Sequence, residues 1–211
     1  MTNVLIFGDS IAYGDYDLQG GWATRLKVYC AKKAITQKLK KDINVFIQAN
    51  PWGDTSQEVL EKLDVEVKPR VWSNHEAIFI FAFGINDAIL IAGKSKVTLS
   101  KFKSNLNEIV NIAKKYSNKM IFLGPTHVDE IKVTPMPWSP TEYWYNNRIK
   151  KYNQFLKDFC SKNNLDFIDF FNRFNKMNYK HLLFDGAHPN TKGHELIFKT
   201  VKNFLEEKKY I

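Results

Sequence analysis

Three apolar runs, each stopped by a glycine, do most to limit what this chain can become. Residues 3–7 (Asn-Val-Leu-Ile-Phe) end on Gly8, residues 77–83 (Ala-Ile-Phe-Ile-Phe-Ala-Phe) on Gly84, and residues 120–123 (Met-Ile-Phe-Leu) on Gly124. Each is too short for a typical helix and rich in strand formers, and without polar alternation it suits a strand buried on both faces. Ile43, Val45 and Ile47 alternate as a further strand, and 165–170 form a fifth. Between them, apolar residues recur at helical spacing: Trp22, Leu26, Tyr29 and Cys30 in a helix that fades near Lys41; Val59, Leu60 and Leu63; Phe102, Leu106, Ile109, Val110 and Ala113; Tyr152, Phe155, Leu156 and Phe159; Leu196, Ile197, Val201, Phe204 and Leu205. Asp54 or Thr55 can cap the second helix, with Glu58 placed for a capping box if Thr55 is the cap, and Pro69 follows its end. Alternating strands and helices with short links predict a three-layer α/β/α sandwich around a five-stranded parallel sheet, in the flavodoxin-like order 2-1-3-4-5.

With 211 residues and 44% apolar content, the chain supports one domain over 1–211, with an aromatic-rich insertion at 126–145 whose composition suits a pocket wall. The first strand begins by residue 3, with no charged and apolar leader before it, and no run is long enough to span a membrane. These features predict a cytoplasmic protein without stable membrane anchoring. Cys30 and Cys160 lie in helical patterns far apart and read as small core residues. The formal charge is +9, but the arginines are only Arg25, Arg70, Arg148 and Arg173, and the lysines are spread over several helices, as at Lys32, Lys33, Lys38, Lys40 and Lys41. That pattern favours solvated helix faces over a nucleic-acid surface.

In a parallel sheet the residues just beyond each strand gather along one edge. Here that edge collects Ser10, Gly53, Gly84, Asn86, Asp185 and His188. Each segment alone reads as a turn or helix cap. Jointly they supply a hydroxyl nucleophile, an imidazole to take its proton, and a carboxylate three residues away to orient that imidazole. The backbone N–H groups of Ser10 and Gly53 and the Asn86 amide are candidate donors to an oxyanion. These are the parts of an acyl-transfer site. His75, His127, His181 and His194 carry no assigned role, and the spacing of His188 and His194 suits no metal pair. Asp9 and Asp87 read as loop braces. Trp52, Trp138 and Trp144 suit core or pocket wall, and are available to stack on a sugar or cover an acyl chain. A non-catalytic module holding a small anion is the competing reading, which the aspartates at this edge oppose.

The segments Gly8-Asp9-Ser10-Ile11, Gly53-Asp54-Thr55-Ser56, Gly84-Ile85-Asn86-Asp87 and Asp185-Gly186-Ala187-His188-Pro189-Asn190 resemble, in order, the four sequence blocks of the SGNH hydrolases, also called the GDSL esterase and lipase family. The resemblance runs from the first strand to the last helix. It implies a serine hydrolase of carboxylic esters with Ser10 as nucleophile, His188 as general base and acid, and Asp185 orienting it. Ser10, Gly53 and Asn86 would form the oxyanion hole around a small-molecule ester, with no metal or organic cofactor. The same acyl-enzyme would also serve an acyltransferase.

Overall fold

The computed structural model describes residues 1–38, 42–72 and 74–211, so the helix end expected near Lys41, with Lys40, lies outside the described residues. In chain order the elements are β1 (Thr2–Gly8), α1 (Ser10–Tyr13), α2 (Gly21–Thr36), β2 (Ile43–Ala49), α3 (Ser56–Val67), β3 (Glu76–Ala82), β4 (Leu90–Ile91), β5 (Lys94–Ser95), α4 (Leu99–Lys114), β6 (Met120–Leu123), α5 (Glu130–Val133), β7 (Glu142–Tyr143), α6 (Asn146–Lys162), β8 (Asp166–Ile168), α7 (Phe170–Asn175) and α8 (Thr191–Glu207). The main sheet has five parallel strands in the order β2-β1-β3-β6-β8, which is the expected 2-1-3-4-5. Among the described residues no helix is long and apolar enough to cross a membrane.

Strand alternation sends two different side-chain chemistries to the two faces of this sheet. One face carries Leu5, Phe7, Phe79, Phe81 and Phe122, packed against residues of α3, α4 and α6. Phe81 lies among Phe7, Phe79 and Phe122, with ring centroids 6.0, 5.9 and 4.8 Å away. The opposite face carries Val4, Ile6, Ile78, Ile80 and Ile121 beneath α2 and α8. The register fixes this division, because Leu5 pairs with Phe79, Ile6 with Ile80 and Phe7 with Phe81. A one-residue slip would exchange the aromatic and aliphatic layers. Cys30 and Cys160 are buried free thiols, one in each core.

Several boundaries are set by local chemistry legible in the sequence. Thr55 and Glu58 form the expected capping box at α3, and Asn190 caps α8 by accepting from the N–H groups of Lys192 and Gly193. The fifth strand is shorter than expected: β8 stops at Ile168, because Asp169 accepts from Asn172 N at 3.1 Å and caps α7, which absorbs Phe170. The 126–145 insertion is not a plain connection. Its β7 joins β4 and β5 in a small antiparallel sheet of order β5-β4-β7. Trp144 is buried, and its Nε1–H donates to Ile85 O at 3.0 Å, fastening the insertion to the loop after β3.

The rings of Phe7, Phe79 and Phe122 around Phe81 are all carried on strands of the sheet, which limits their collapse into a truncated site. Phe81→Ala is expected to lower unfolding stability by about 3–5 kcal/mol, read as a lower urea midpoint with an unchanged slope.

Candidate active site

Gly8 places the serine. A Cβ there would lie 2.5 Å from Ala12 Cβ and 2.7 Å from Ala82 O, so only glycine lets the chain turn at once from β1 into α1. Asp9 then accepts from Ile11 N at 3.0 Å as the N-cap, and Ser10 becomes the first helical residue at the end of the central strand. The serine thus sits in a one-turn helix, Ser10–Tyr13.

His188 arrives from the loop before α8. Its Nε2 lies 2.9 Å from Ser10 Oγ, and its Nδ1 lies 2.7 Å from Asp185 Oδ2. The other carboxylate oxygen, Asp185 Oδ1, accepts from the backbone N–H groups of Ala187 at 2.9 Å and His188 at 2.8 Å. These partners assign the Nδ1–H tautomer, which leaves Nε2 to accept from the serine hydroxyl. Burial alone would raise the Asp185 carboxyl, but the His188 side chain and the two backbone N–H groups outweigh it and hold it below its ordinary range. The loop is tied down from outside. Phe184 N donates to His188 O at 2.8 Å, and Asp129 N in the insertion donates to Gly186 O at 2.7 Å.

Two of the candidate oxyanion donors, Gly53 and Asn86, lie beside one another. Gly53 has φ +81°, a left-handed conformation, and a Cβ added to it would meet Asn86 Nδ2 at 3.4 Å. Glycine therefore satisfies the backbone and keeps the approach to the amide clear. Asn86 donates one amide hydrogen to Asp54 O at 3.1 Å, which orients the group and leaves a second hydrogen for a ligand. Asp54 is itself paired with Lys62.

Two buried carboxyls brace this arrangement, as their positions in the sequence suggest. Asp87 accepts from the backbone N–H and hydroxyl of Ser56, joining the Asn86 loop to the start of α3. Asp9 lines a small apolar cavity under the serine turn with Ile11, Phe83, Ile85 and Thr126. Burial pushes each of these carboxyls up from 3.8 to about 7.

Sequence reasoning gave His194 no role, and the structure makes it a strut. It is fully buried, its Nδ1 accepts from Trp22 N at 3.3 Å, and its Nε2 donates to Asp15 O at 3.2 Å. Burial lowers its pKa, so the ring stays neutral as those partners require. Asp17 holds the same loop: its carboxylate accepts from Gly21 N at 3.1 Å, Arg25 Nη2 at 2.8 Å and Thr191 Oγ1 at 2.9 Å. The buried polarity of Asp17 and His194 is apparent only in three dimensions, because neither falls in a motif.

The mouth of the site is aromatic. Tyr16, Trp52, Trp138 and Phe184 are 53%, 90%, 51% and 58% exposed. Of Trp52, Trp138 and Trp144, only Trp144 is core.

A buried carboxyl raised to about 7 keeps its proton when folded at pH values where the unfolded chain has lost it. The stability from Asp9 and Asp87 is therefore full below about pH 4 and is lost as pH rises through about 7. Asp185 acts oppositely, losing its contribution only below the ordinary carboxylate pKa. Buried His194 works the other way over the same range, so the test is a difference: between pH 5 and pH 8 Asp87→Asn should lose less melting temperature than the native protein, by several degrees at roughly 2–4 °C per kcal/mol. An unchanged fall by calorimetry would show that Asp87 is ionised throughout.

Residues 6–196 match the GDSL-like lipase/acylhydrolase family. The chain is 26% identical to the GDSL esterase/lipase CPRD49 of Arabidopsis thaliana, over 97% of this chain and 78% of that protein. It is also 26% identical to the isoamyl acetate-hydrolyzing esterase of Saccharomyces cerevisiae, over 96% of this chain and 87% of that one. The crystal structure of the lipase/acylhydrolase from Enterococcus faecalis has the same fold, with a TM-score of 0.72 and 24% identity over 99% of this chain and 97% of that one. An acetylxylan esterase from Geobacillus stearothermophilus superposes with a TM-score of 0.68 at 17% identity, over 98% of this chain and 93% of that one.

Proposed function

Because the chain belongs to the GDSL-like lipase/acylhydrolase family, we propose that it hydrolyses carboxylic esters of small acyl groups through an acyl-enzyme on Ser10. The observation that carries this reading is the unbroken hydrogen-bonded series Ser10 Oγ, His188 Nε2, His188 Nδ1, Asp185 Oδ2, with steps of 2.9 and 2.7 Å between residues.

Ser10 Oγ bonds to the ester carbonyl carbon while its proton passes to His188 Nε2. Asp185 keeps the imidazole in the required tautomer and stabilises the imidazolium. The carbonyl oxygen, now an oxyanion, meets the backbone N–H groups of Ser10 and Gly53 and the free hydrogen of Asn86 Nδ2. Collapse breaks the bond to the alcohol oxygen, and the alcohol leaves with the proton from Nε2. Water then adds to the acyl carbon and gives a proton to the same nitrogen. Ser10 Oγ departs with that proton, releasing the carboxylic acid. The relative named for isoamyl acetate and the fold neighbour named for acetylxylan support acetyl as the first acyl group to test.

Ser10→Ala and His188→Ala should each lower kcat for an acetyl ester at least about 10⁴-fold while leaving the melting transition intact. Asn86→Ala should lose about 10²- to 10³-fold in kcat. A fluorophosphonate should modify Ser10 in the native protein and nothing in Ser10→Ala, as mapped by mass spectrometry. Native-like turnover in either triad variant, or modification at another residue, would overturn the assignment.

A further inference from the structure

Tyr16 is a backbone anomaly that packing does not require. Its φ is +60°, in the left-handed region that a bulky side chain rarely adopts, yet more than half of the residue faces solvent. Such a conformation is strained for a bulky side chain and persists where the surroundings impose it. They do so here on both sides of the residue. Asp15 O is held by buried His194, and Asp17 is held by Arg25, Thr191 and Gly21 N. Asp15 N and Gly14 N both donate to Ser10 O, at 3.2 and 2.9 Å, so the anchored loop is continuous with the serine turn.

The ring so presented stacks on exposed Phe184, with centroids 4.7 Å apart and planes 13° apart. It also lies 5.2 Å from the His188 ring. Trp138, from the insertion, approaches His188 at 6.1 Å and sets its own ring at 68° to buried Trp144. Tyr16 and Trp138, from two separate segments, thus flank the imidazole, with Phe184 stacked against Tyr16, and all three leave large surfaces open. Exposed rings fixed in place present binding area at little conformational cost.

Their position tells which half of the substrate meets them. In the reaction proposed above, on which this inference rests, His188 Nε2 delivers its proton to the departing alcohol oxygen. The acyl oxygen points instead toward Gly53 and Asn86. Groups around the imidazole therefore touch the alcohol. We propose that Tyr16 and Phe184, faced by Trp138, form the alcohol subsite, and that it selects alcohols presenting a flat ring face, aryl or pyranose, over open alkyl chains. Rings stack on aromatic faces with directional preference, whereas a flexible chain would lose conformational freedom to lie on an open shelf.

Acetate esters isolate this subsite, because all of them yield the same acetyl-enzyme and differ only in the alcohol. The test measures kcat/KM for ethyl acetate, benzyl acetate and methyl 2-O-acetyl-β-xylopyranoside with the native protein, Tyr16→Asn and Phe184→Leu. Each variant is compared with the native protein on the same substrate, so intrinsic leaving-group reactivity cancels. Asparagine tolerates the left-handed backbone, so Tyr16→Asn removes the ring without adding strain, and Phe184→Leu keeps apolar bulk without a planar face. Both variants should lose about threefold to tenfold more on ring-bearing acetates than on ethyl acetate. The loss should lie in acylation, with the deacylation rate the same from every ester. A selective loss on benzyl acetate alone identifies an aryl alcohol, on the xyloside alone a sugar, and on both a general ring site. Equal losses on all three acetates, or no loss, would overturn the alcohol subsite while leaving ester hydrolysis standing. A folded native protein that cleaves none of the three would remove the hydrolase reading, and the subsite with it.

Discussion

Strand β1 is paired on both sides along its whole length, to β2 and to β3, and its side chains enter both hydrophobic layers. A strand held in this way cannot shift without breaking two ladders and mixing the two cores. That rigidity passes directly into the chemistry, because Gly8 allows no spacer between the strand and the turn that carries Ser10. Placement of the proposed nucleophile is therefore a property of the sheet. The other participants are brought to it by loops, each fastened by its own polar contact: Asp87 to Ser56, Asn86 to Asp54, and Asp185 to the backbone of its own turn.

The parts of this architecture that depend on local patterns were legible in the sequence. Uninterrupted apolar runs mark the central strands, and Thr55 with Glu58 is a local signature of the start of α3. The strand-end rule gathered Ser10, Asn86, Asp185 and His188 at one edge. What escaped depends on contacts between distant residues. β4, β5 and β7 are two residues each, too short to show a period, and exist because they pair with one another. Phe170 continues an apolar run by composition, but the Asp169 side chain captures Asn172 N and starts a helix there. The roles of Asp17 and His194 are equally non-local, since their partners at Thr191 and Trp22 lie more than 170 residues away.

The small sheet gives the insertion a mechanical meaning. β4 follows the Asn86 loop and β7 follows Trp138, so their pairing joins the oxyanion side of the mouth to the side facing His188. Trp144 donating to Ile85 O and Arg148 donating to Ala88 O at 3.0 Å add fixed links across the same seam. An ester placed between these walls meets surfaces whose spacing is set by hydrogen bonds, as preorganised catalysis requires.

Ser10 and His188 are separated by 178 residues of chain. During synthesis the serine emerges long before the histidine proposed to activate it, and β1 cannot be paired on both sides until β3 has followed it. A serine hydroxyl without an imidazole is a weak nucleophile. The loop carrying His188 is positioned by Asn190, which caps α8 and whose backbone N–H donates to Leu182 O at 2.8 Å. Under the proposed mechanism, reactivity toward esters waits for the C-terminal helix to dock, so a partly made chain carries Ser10 in a chemically quiet form.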